Sequence, residues 1–125
     1  ELDSDLVAEG DWSASSGYAA FKQIVEKGNQ PTAIFAQNDQ MAVGVMQAAR
    51  EMDINVPEDI SVIGVDNMPL ASYFDPPITT MGQDLVEIGR NAARILVEAL
   101  EKKTAKKQIL VKPELIVRGS TAPLE

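Results

Sequence analysis

The chain has 125 residues, a common size for one compact domain, and its 11 basic and 19 acidic side chains give a net charge of −8. This balance argues against a nucleic-acid-binding surface on the segment, because such surfaces are basic. The absence of cysteine and histidine excludes disulfides, thiolate zinc sites, cysteine nucleophiles and histidine bases. No apolar run approaches the ~20 residues of a membrane span, and the chain does not begin with methionine, so we expect a segment of a longer, non-membrane protein.

In chain order, the first half alternates strand and helix patterns. A weak strand tail at residues 6–8 precedes a helix that Ser13 caps and Gly28 ends. The apolar run 32–36 predicts a short strand that is buried on both faces. The Asn38–Asp39 pair is typical of the beginning of a second helix.

The second half continues the alternation. Apolar runs at 60–65 and 78–81 predict two more strands, with a short turn or helix between them at residues 69–74. The clearest amphipathic helix covers residues 85–100 and ends in a solvated, lysine-rich turn at 101–107. Two terminal runs predict strands at Gln108–Val111 and Leu115–Arg118, separated by Pro113.

This alternation with short connections predicts an α/β fold, a three-layer parallel sheet with right-handed crossovers. Open sheets of this kind bind ligands beyond the carboxyl ends of their strands. Asn38, Asp66 and Gln83 follow the ends of predicted strands, and Trp12 lies in the loop after the weak first strand.

These four side chains have the chemistry of a sugar site. A carboxylate and two amides offer hydrogen-bond acceptors and donors, and an indole offers a flat apolar platform. The same edge suits phosphate poorly, because it has no arginine, lysine or glycine-rich loop. Each residue also has a structural alternative: Asn38 as a helix cap, Asp66 and Gln83 as turn or loop residues, Trp12 as a cover for the core.

The second predicted helix has apolar residues on two faces, although a surface helix normally keeps one face polar. Val43 and Met46 lie on the second face, and Tyr73 and Phe74 in the following turn extend the same apolar patch. We therefore expect a homodimer contact at these four residues. The alternative is that the second face packs within its own domain.

The sequence offers little support for catalysis. It has no G-x-S-x-G elbow, no P-loop and no G-x-G-x-x-G motif. The four acidic residues Asp11, Asp39, Asp66 and Asp84 match no calcium-loop spacing, and we interpret them as caps and loop residues. We expect no enzyme activity, no metal and no cofactor. The alternatives still open are a small sugar-acting α/β enzyme and a scaffold that only oligomerises.

Several longer stretches carry a family resemblance. They are residues 31–42 (PTAIFAQNDQMA), 56–67 (VPEDISVIGVDN), 76–84 (PPITTMGQD), and Gly10–Ser13 followed by Ser16–Tyr18. In this order and spacing they resemble the lactose-repressor (LacI/GalR) family of bacterial transcription regulators, over roughly residues 8–119. The resemblance implies a core like that of the type I periplasmic binding proteins, in which an effector binds between two lobes and alters the affinity for operator DNA.

By motif match, the resemblance assigns Trp12, Asn38, Asp66 and Gln83 to the C-terminal lobe's share of the effector site. Leu85 matches a pocket position that is often aromatic. It also places the dimer contact on the second helix and on the turn before Pro76, and DNA binding on a separate headpiece. The implied protein is a cytoplasmic repressor; the alternative within the superfamily is a solute-binding protein of a sugar transporter.

The resemblance also divides the chain. It assigns residues 1–82 and 108–119 to the C-terminal lobe and the helix 84–103 to a second lobe outside this sequence. The apolar stripe of that helix is then too large to remain bare, because burial of each leucine or isoleucine is worth about 1.5–3 kcal/mol. We expect the helix to pack on a second lobe, on its own sheet or on a second copy.

Overall fold

The computed structural model describes residues 3–101 and 108–123. In this part of the chain, strands and helices alternate as the sequence predicts. The elements are a 3-10 helix Ser4–Leu6, α1 Ala14–Glu26, β1 Ala33–Phe35, α2 Asp39–Glu51, β2 Ser61–Asp66, a 3-10 helix Pro69–Ser72, β3 Thr79–Gly82, α3 Leu85–Leu100 and β4 Glu114–Ile116.

Each α-helix begins at a side-chain cap. Ser13, Asn38 and Asp84 each accept a hydrogen bond from the backbone N–H three residues later, at 3.1, 2.7 and 2.7 Å. These bonds satisfy N–H groups that a helix start leaves unpaired. Gly28, just past the end of α1, has φ +87°, a conformation that glycine adopts without steric cost. The predicted caps at Ser13 and Asn38 and the stop at Gly28 are confirmed.

The strands form one sheet in the order β1-β2-β3-β4. β1, β2 and β3 are mutually parallel, so their carboxyl ends meet at one edge. β4 runs antiparallel to β3, with Leu115 opposite Met81. The predicted parallel sheet therefore describes the first three strands, and the last strand departs from it.

Helices α1 and α2 pack together and α2 covers one face of the sheet. The core between them contains Phe21, Val45, Val62 and Ile78, all buried. A Cβ on Gly44 would overlap the backbone carbonyl of Ala14, so the absence of a side chain lets α1 and α2 approach this closely.

The opposite face of the sheet is less covered. Phe35 is 64% exposed, and its neighbour in register, Ile63, is half-buried. Among the described residues, the start of α3 and the segment 111–113 lie nearest this face, around Val65 and Met81. The prediction that β1 is buried on both faces is wrong, because β1 is an edge strand with Ala33 and Phe35 exposed.

Two of the predicted strands are absent, the strand tail at residues 6–8 and the strand at residues 108–111. Leu6 ends a 3-10 helix and residues 7–8 continue without a strand partner, and residues 108–111 form no ladder. An apolar run becomes a strand only where a neighbour can pair its backbone groups, and neither run meets one among the described residues. Residues 102–107 of the predicted lysine-rich turn lie outside the described residues.

Helix α3 forms where the periodicity predicts it, but its apolar stripe faces solvent. Leu85, Ala92 and Leu96 are exposed and Ile88 is only partly covered. Asn91 is the buried residue of this helix. Packing of the stripe on the chain's own sheet, one of the three outcomes considered, is therefore wrong. None of the described helices combines the length and the apolar character that a membrane crossing requires.

Candidate functional site

The candidate site lies at the edge of the sheet where the three parallel strands end. Asp66 is the last residue of β2 and lies opposite Gly82, the last residue of β3. This register places Gln83 beside Asp66, and the Gln83 amide Nε2 donates to the Asp66 carboxylate at 3.1 Å. The structure thus brings together two of the four predicted site residues.

The backbone at this edge is unusual. Asp66 has φ +102° and Asn67 has φ +56°, consecutive residues in the left-handed region. Non-glycine residues rarely adopt such angles unless neighbouring groups hold them there. The half-buried Asp66 side chain in this turn is the one that accepts the hydrogen bond from Gln83.

Trp12 and Asn38 form a second pair. The Asn38 amide Nδ2 donates to the Trp12 carbonyl at 3.0 Å, and its Oδ1 caps α2. Asn38 is only 7% exposed, so its main contacts are internal and the capping alternative holds for it. Trp12, by contrast, is 64% exposed, with φ +74°, and leaves most of its indole open to solvent.

A neighbouring carboxylate stabilises the Trp12 turn. Asp11 accepts from the backbone N–H of Ser13 at 3.1 Å and from its hydroxyl at 2.5 Å, while the Ser16 hydroxyl accepts from the Asp11 N–H. The Ser13 hydroxyl, then the Ser13 N–H, hold the pKa of Asp11 below its ordinary value. The turn that presents the indole is therefore fixed from both sides, by Asp11 and by Asn38.

Two hollows flank the edge. A cavity of about 250 Å³ is lined by Val65, Met81, Gln83, Asp84, Ile88 and residues 111–113. A larger groove of about 730 Å³ runs beside Trp12 and the edge strand β1. Trp12 and Gln83 therefore line different hollows, and the exposed Leu85 follows Gln83 at the start of α3.

The four predicted dimer residues separate in the structure. Tyr73 is 83% exposed, and Val43 and Phe74 are half-buried. Met46 is 7% exposed and belongs to the core, so the second face of α2 is in part packed within the chain. Met46 packs in the chain's own core, so the dimer contact proposed below omits it.

The acidic residues take structural positions. Asp84 caps α3 and Asp11 caps the Trp12 turn. Within residues 3–101 and 108–123, no group of three or more acidic side chains is arranged to hold a metal ion.

Sequence reasoning treated Asp39 only as a capping residue, but the structure gives it a central position. Asp39 is 2% exposed and accepts hydrogen bonds from Met68, in the loop after β2, and from Thr80 in β3. The signal that could have indicated this is Gly64, because a glycine inside a buried strand marks the close approach of another group. A Cβ at Gly64 would overlap Asp39 Oδ1.

The profile of the periplasmic binding protein-like domain matches residues 2–121, and the chain belongs to this family. The HTH-type transcriptional repressor PurR of Vibrio atlanticus is 41% identical over 98% of this chain and 37% of its own length. The predicted resemblance to lactose-repressor-type regulators is thus confirmed, and the repressor relatives favour this interpretation over a transporter's binding protein. The chain spans little more than a third of the curated relatives that it matches.

Solved structures agree with this assignment. The lac repressor dimer bound to operator and the anti-inducer ONPF superposes with a TM-score of 0.88 at 37% identity, over 92% of this chain and 40% of that chain. The complex of the transcriptional regulator CelR with cellobiose superposes with a TM-score of 0.90 at 32% identity, over 96% of this chain and 37% of that chain. The predicted α/β, periplasmic-binding-protein-like fold class is confirmed.

Proposed function

We propose that this chain is the C-terminal part of the effector-binding core of a transcriptional repressor and that its sheet edge binds a sugar. The observation that carries the proposal is the Asp66 carboxylate, fixed by Gln83 at the carboxyl ends of parallel strands. A carboxylate there accepts from paired sugar hydroxyls, and Gln83 keeps a carbonyl oxygen and an amide hydrogen for the same ligand. The half-buried setting strengthens such bonds relative to bulk water.

Trp12 offers the same ligand an apolar surface from the neighbouring groove beside β1. Its exposed indole offers a flat surface for the C–H face of a sugar ring. Asn38 acts mainly through Trp12, because its amide holds the Trp12 carbonyl and its oxygen caps α2. The CelR structure, which holds cellobiose, supports a sugar effector for this chain.

The effector site is completed by a second lobe in this proposal. Helix α3 crosses to that lobe and its stripe of Leu85, Ile88 and Leu96 packs there, while residues 3–82 and 108–119 form the lobe described here. Ligand binding between the lobes changes their relative angle and, through it, operator affinity. Operator contact belongs to a headpiece elsewhere in the protein, since a segment of net charge −8 repels phosphates.

The proposed protein is a cytoplasmic homodimer that binds its effector without turning it over. The dimer contact lies on Val43, Tyr73 and Phe74, without Met46. The 83% exposure of the Tyr73 ring supports this surface, because tyrosine is enriched at protein interfaces. The second copy would cover the ring.

The proposed site can be tested by measuring sugar binding to the whole protein. Neutral monosaccharides and disaccharides, cellobiose among them, are titrated into the whole protein, with calorimetry as the direct measure of binding. We expect one sugar to bind and Asp66→Asn to weaken it about 10- to 100-fold, the effect of losing hydrogen bonds to a charged group.

The matched control is Asp53→Asn. Asp53, like Asp66, is an aspartate with positive φ, +55°, but it is exposed and lies in the turn after α2. Its substitution should leave sugar affinity unchanged. Equal affinity in the Asp66→Asn variant, or heat of binding for inorganic phosphate and for none of the sugars, would contradict the proposed site.

A further inference from the structure

The carboxylate of Asp39 lies directly beneath the loop that carries Asp66. Asp39 is the first residue of α2 and is 2% exposed. Its Oδ1 accepts from the Thr80 hydroxyl at 2.6 Å, and its Oδ2 accepts from the backbone N–H of Met68 at 2.6 Å. One buried side chain thus joins the start of α2, the strand β3 and the loop after β2.

Thr80 extends these contacts by one residue. It is completely buried, and its Oγ1 accepts from the backbone N–H of Asn67 at 3.2 Å while its hydroxyl donates to Asp39. Asn67 and Met68 therefore each have their N–H held by this buried pair. Gly64 leaves the space that the Asp39 carboxylate occupies.

A third contact closes the loop from the other side. The Arg118 guanidinium donates to the Asn67 side-chain oxygen at 2.6 Å and to the Ile78 carbonyl at 2.7 Å. The loop needs such contacts, because Asp66 and Asn67 both have left-handed φ angles that carry a conformational cost.

We infer that Asp39 and Thr80 are positioning residues for the effector site: their buried hydrogen bonds hold Asn67 and Met68 so that Asp66 faces Gln83. This inference rests on the proposed function only for the role of the loop in effector binding; the hydrogen bonds that hold the loop do not depend on it. Neither side chain is open to a ligand, since Thr80 is completely buried and Asp39 is 2% exposed.

The test compares Thr80→Val with Ser120→Ala in the whole protein. Both substitutions remove a fully buried hydroxyl that donates one hydrogen bond and accepts one backbone N–H; Ser120 donates to the Val62 carbonyl and accepts from Thr79. Ser120 makes these bonds near the beginning of β2 and β3, away from the loop. Thr80→Val should cost more stability than Ser120→Ala, because the Thr80 hydroxyl donates to a carboxylate. Urea unfolding of both variants therefore accompanies the readouts and separates a local change in the loop from a general loss of stability.

The first readout is hydrogen–deuterium exchange of a peptide spanning residues 65–70, without ligand. We expect Thr80→Val to speed exchange about tenfold in this peptide, the effect expected for loss of one hydrogen bond. Ser120→Ala should leave it unchanged and Thr80→Ser should restore the wild-type rate. Asp39→Asn should also speed exchange, because asparagine has one side-chain oxygen and so cannot replace both Asp39 oxygens, which accept from Thr80 and Met68.

The second readout is the affinity of the sugar that the unsubstituted protein binds, with cellobiose as the first probe. We expect Thr80→Val to weaken it about tenfold, with Thr80→Ser and Ser120→Ala near wild type. Wild-type exchange rates in Thr80→Val, or faster exchange with unchanged affinity, would overturn the inference. If no sugar binds the unsubstituted protein, the proposed function fails, and the exchange rates still decide whether Asp39 and Thr80 hold the loop.

Discussion

Helices α2 and α3 show what an apolar pattern does and does not specify. Most of α2 is buried, against α1 on one side and the sheet on the other, and its second apolar face is partly absorbed by the chain's own core at Met46. α3 has the cleaner amphipathic pattern, yet its stripe faces solvent and Asn91 is its buried residue. An apolar pattern therefore indicates which face of a helix is stabilised by burial. The surface that buries this face is set by other parts of the fold.

The largest contrast is expected at two helix-interior glycines. Gly44→Ala in α2 should destabilise the 125-residue chain by about 3 kcal/mol, because the new Cβ meets the Ala14 backbone and must separate α1 from α2. Gly89→Ala in α3 should instead stabilise it by about 0.5–1 kcal/mol, since nothing lies within reach of that Cβ and alanine favours the helix. Urea unfolding measures both, and equal effects would remove the contrast.

Two valines give the next largest difference. Val45→Ala in α2 should cost about 2 kcal/mol, because it empties space in the core. Val97→Ala in α3 should change stability by less than about 0.5 kcal/mol, since that side chain is half exposed. Thermal and urea unfolding of both variants check this, and a large loss at Val97 would show that α3 is packed in solution.

The exposed stripe of α3 can be probed by dye binding and self-association as well as by stability. Leu96→Gln together with Leu100→Gln should leave the free energy of unfolding of the 125-residue chain within about 0.5 kcal/mol. The same double variant should lower both the fluorescence of the apolar dye ANS and any self-association in sedimentation. Unchanged dye binding and association would mean that the stripe is already covered.

The smallest expected effect is a change in the pKa of Glu51 when its hydrogen bond from Tyr18 is removed. Tyr18 on α1 donates its hydroxyl to Glu51 on α2 at 2.5 Å, which raises the pKa of Tyr18 and, mainly through the same bond, lowers the pKa of Glu51. The stabilisation from Glu51 is present above its unfolded pKa and is lost as pH falls through its lowered folded value. The contribution of Tyr18 has the opposite sign, being lost as pH rises above the ordinary tyrosine pKa.

Tyr18→Phe should return the pKa of Glu51 toward its ordinary value, measured by NMR titration of the side-chain carboxyl. An unchanged Glu51 titration would mean that the link between α1 and α2 is absent in solution.

The helices follow from the amino-acid sequence alone, because their caps and apolar spacing are local: Ser13, Asn38 and Gly28 act on backbone groups within a few residues. The sequence also placed Asp66 and Gln83 correctly, since parallel strands bring residues at their carboxyl ends to one edge. The other features depend on contacts between distant parts of the chain. The exposure of β1, the loss of a strand at 108–111 and the burial of Met46 depend on which surfaces meet, and the Asp39–Thr80 bond joins residues 41 positions apart that no local pattern connects.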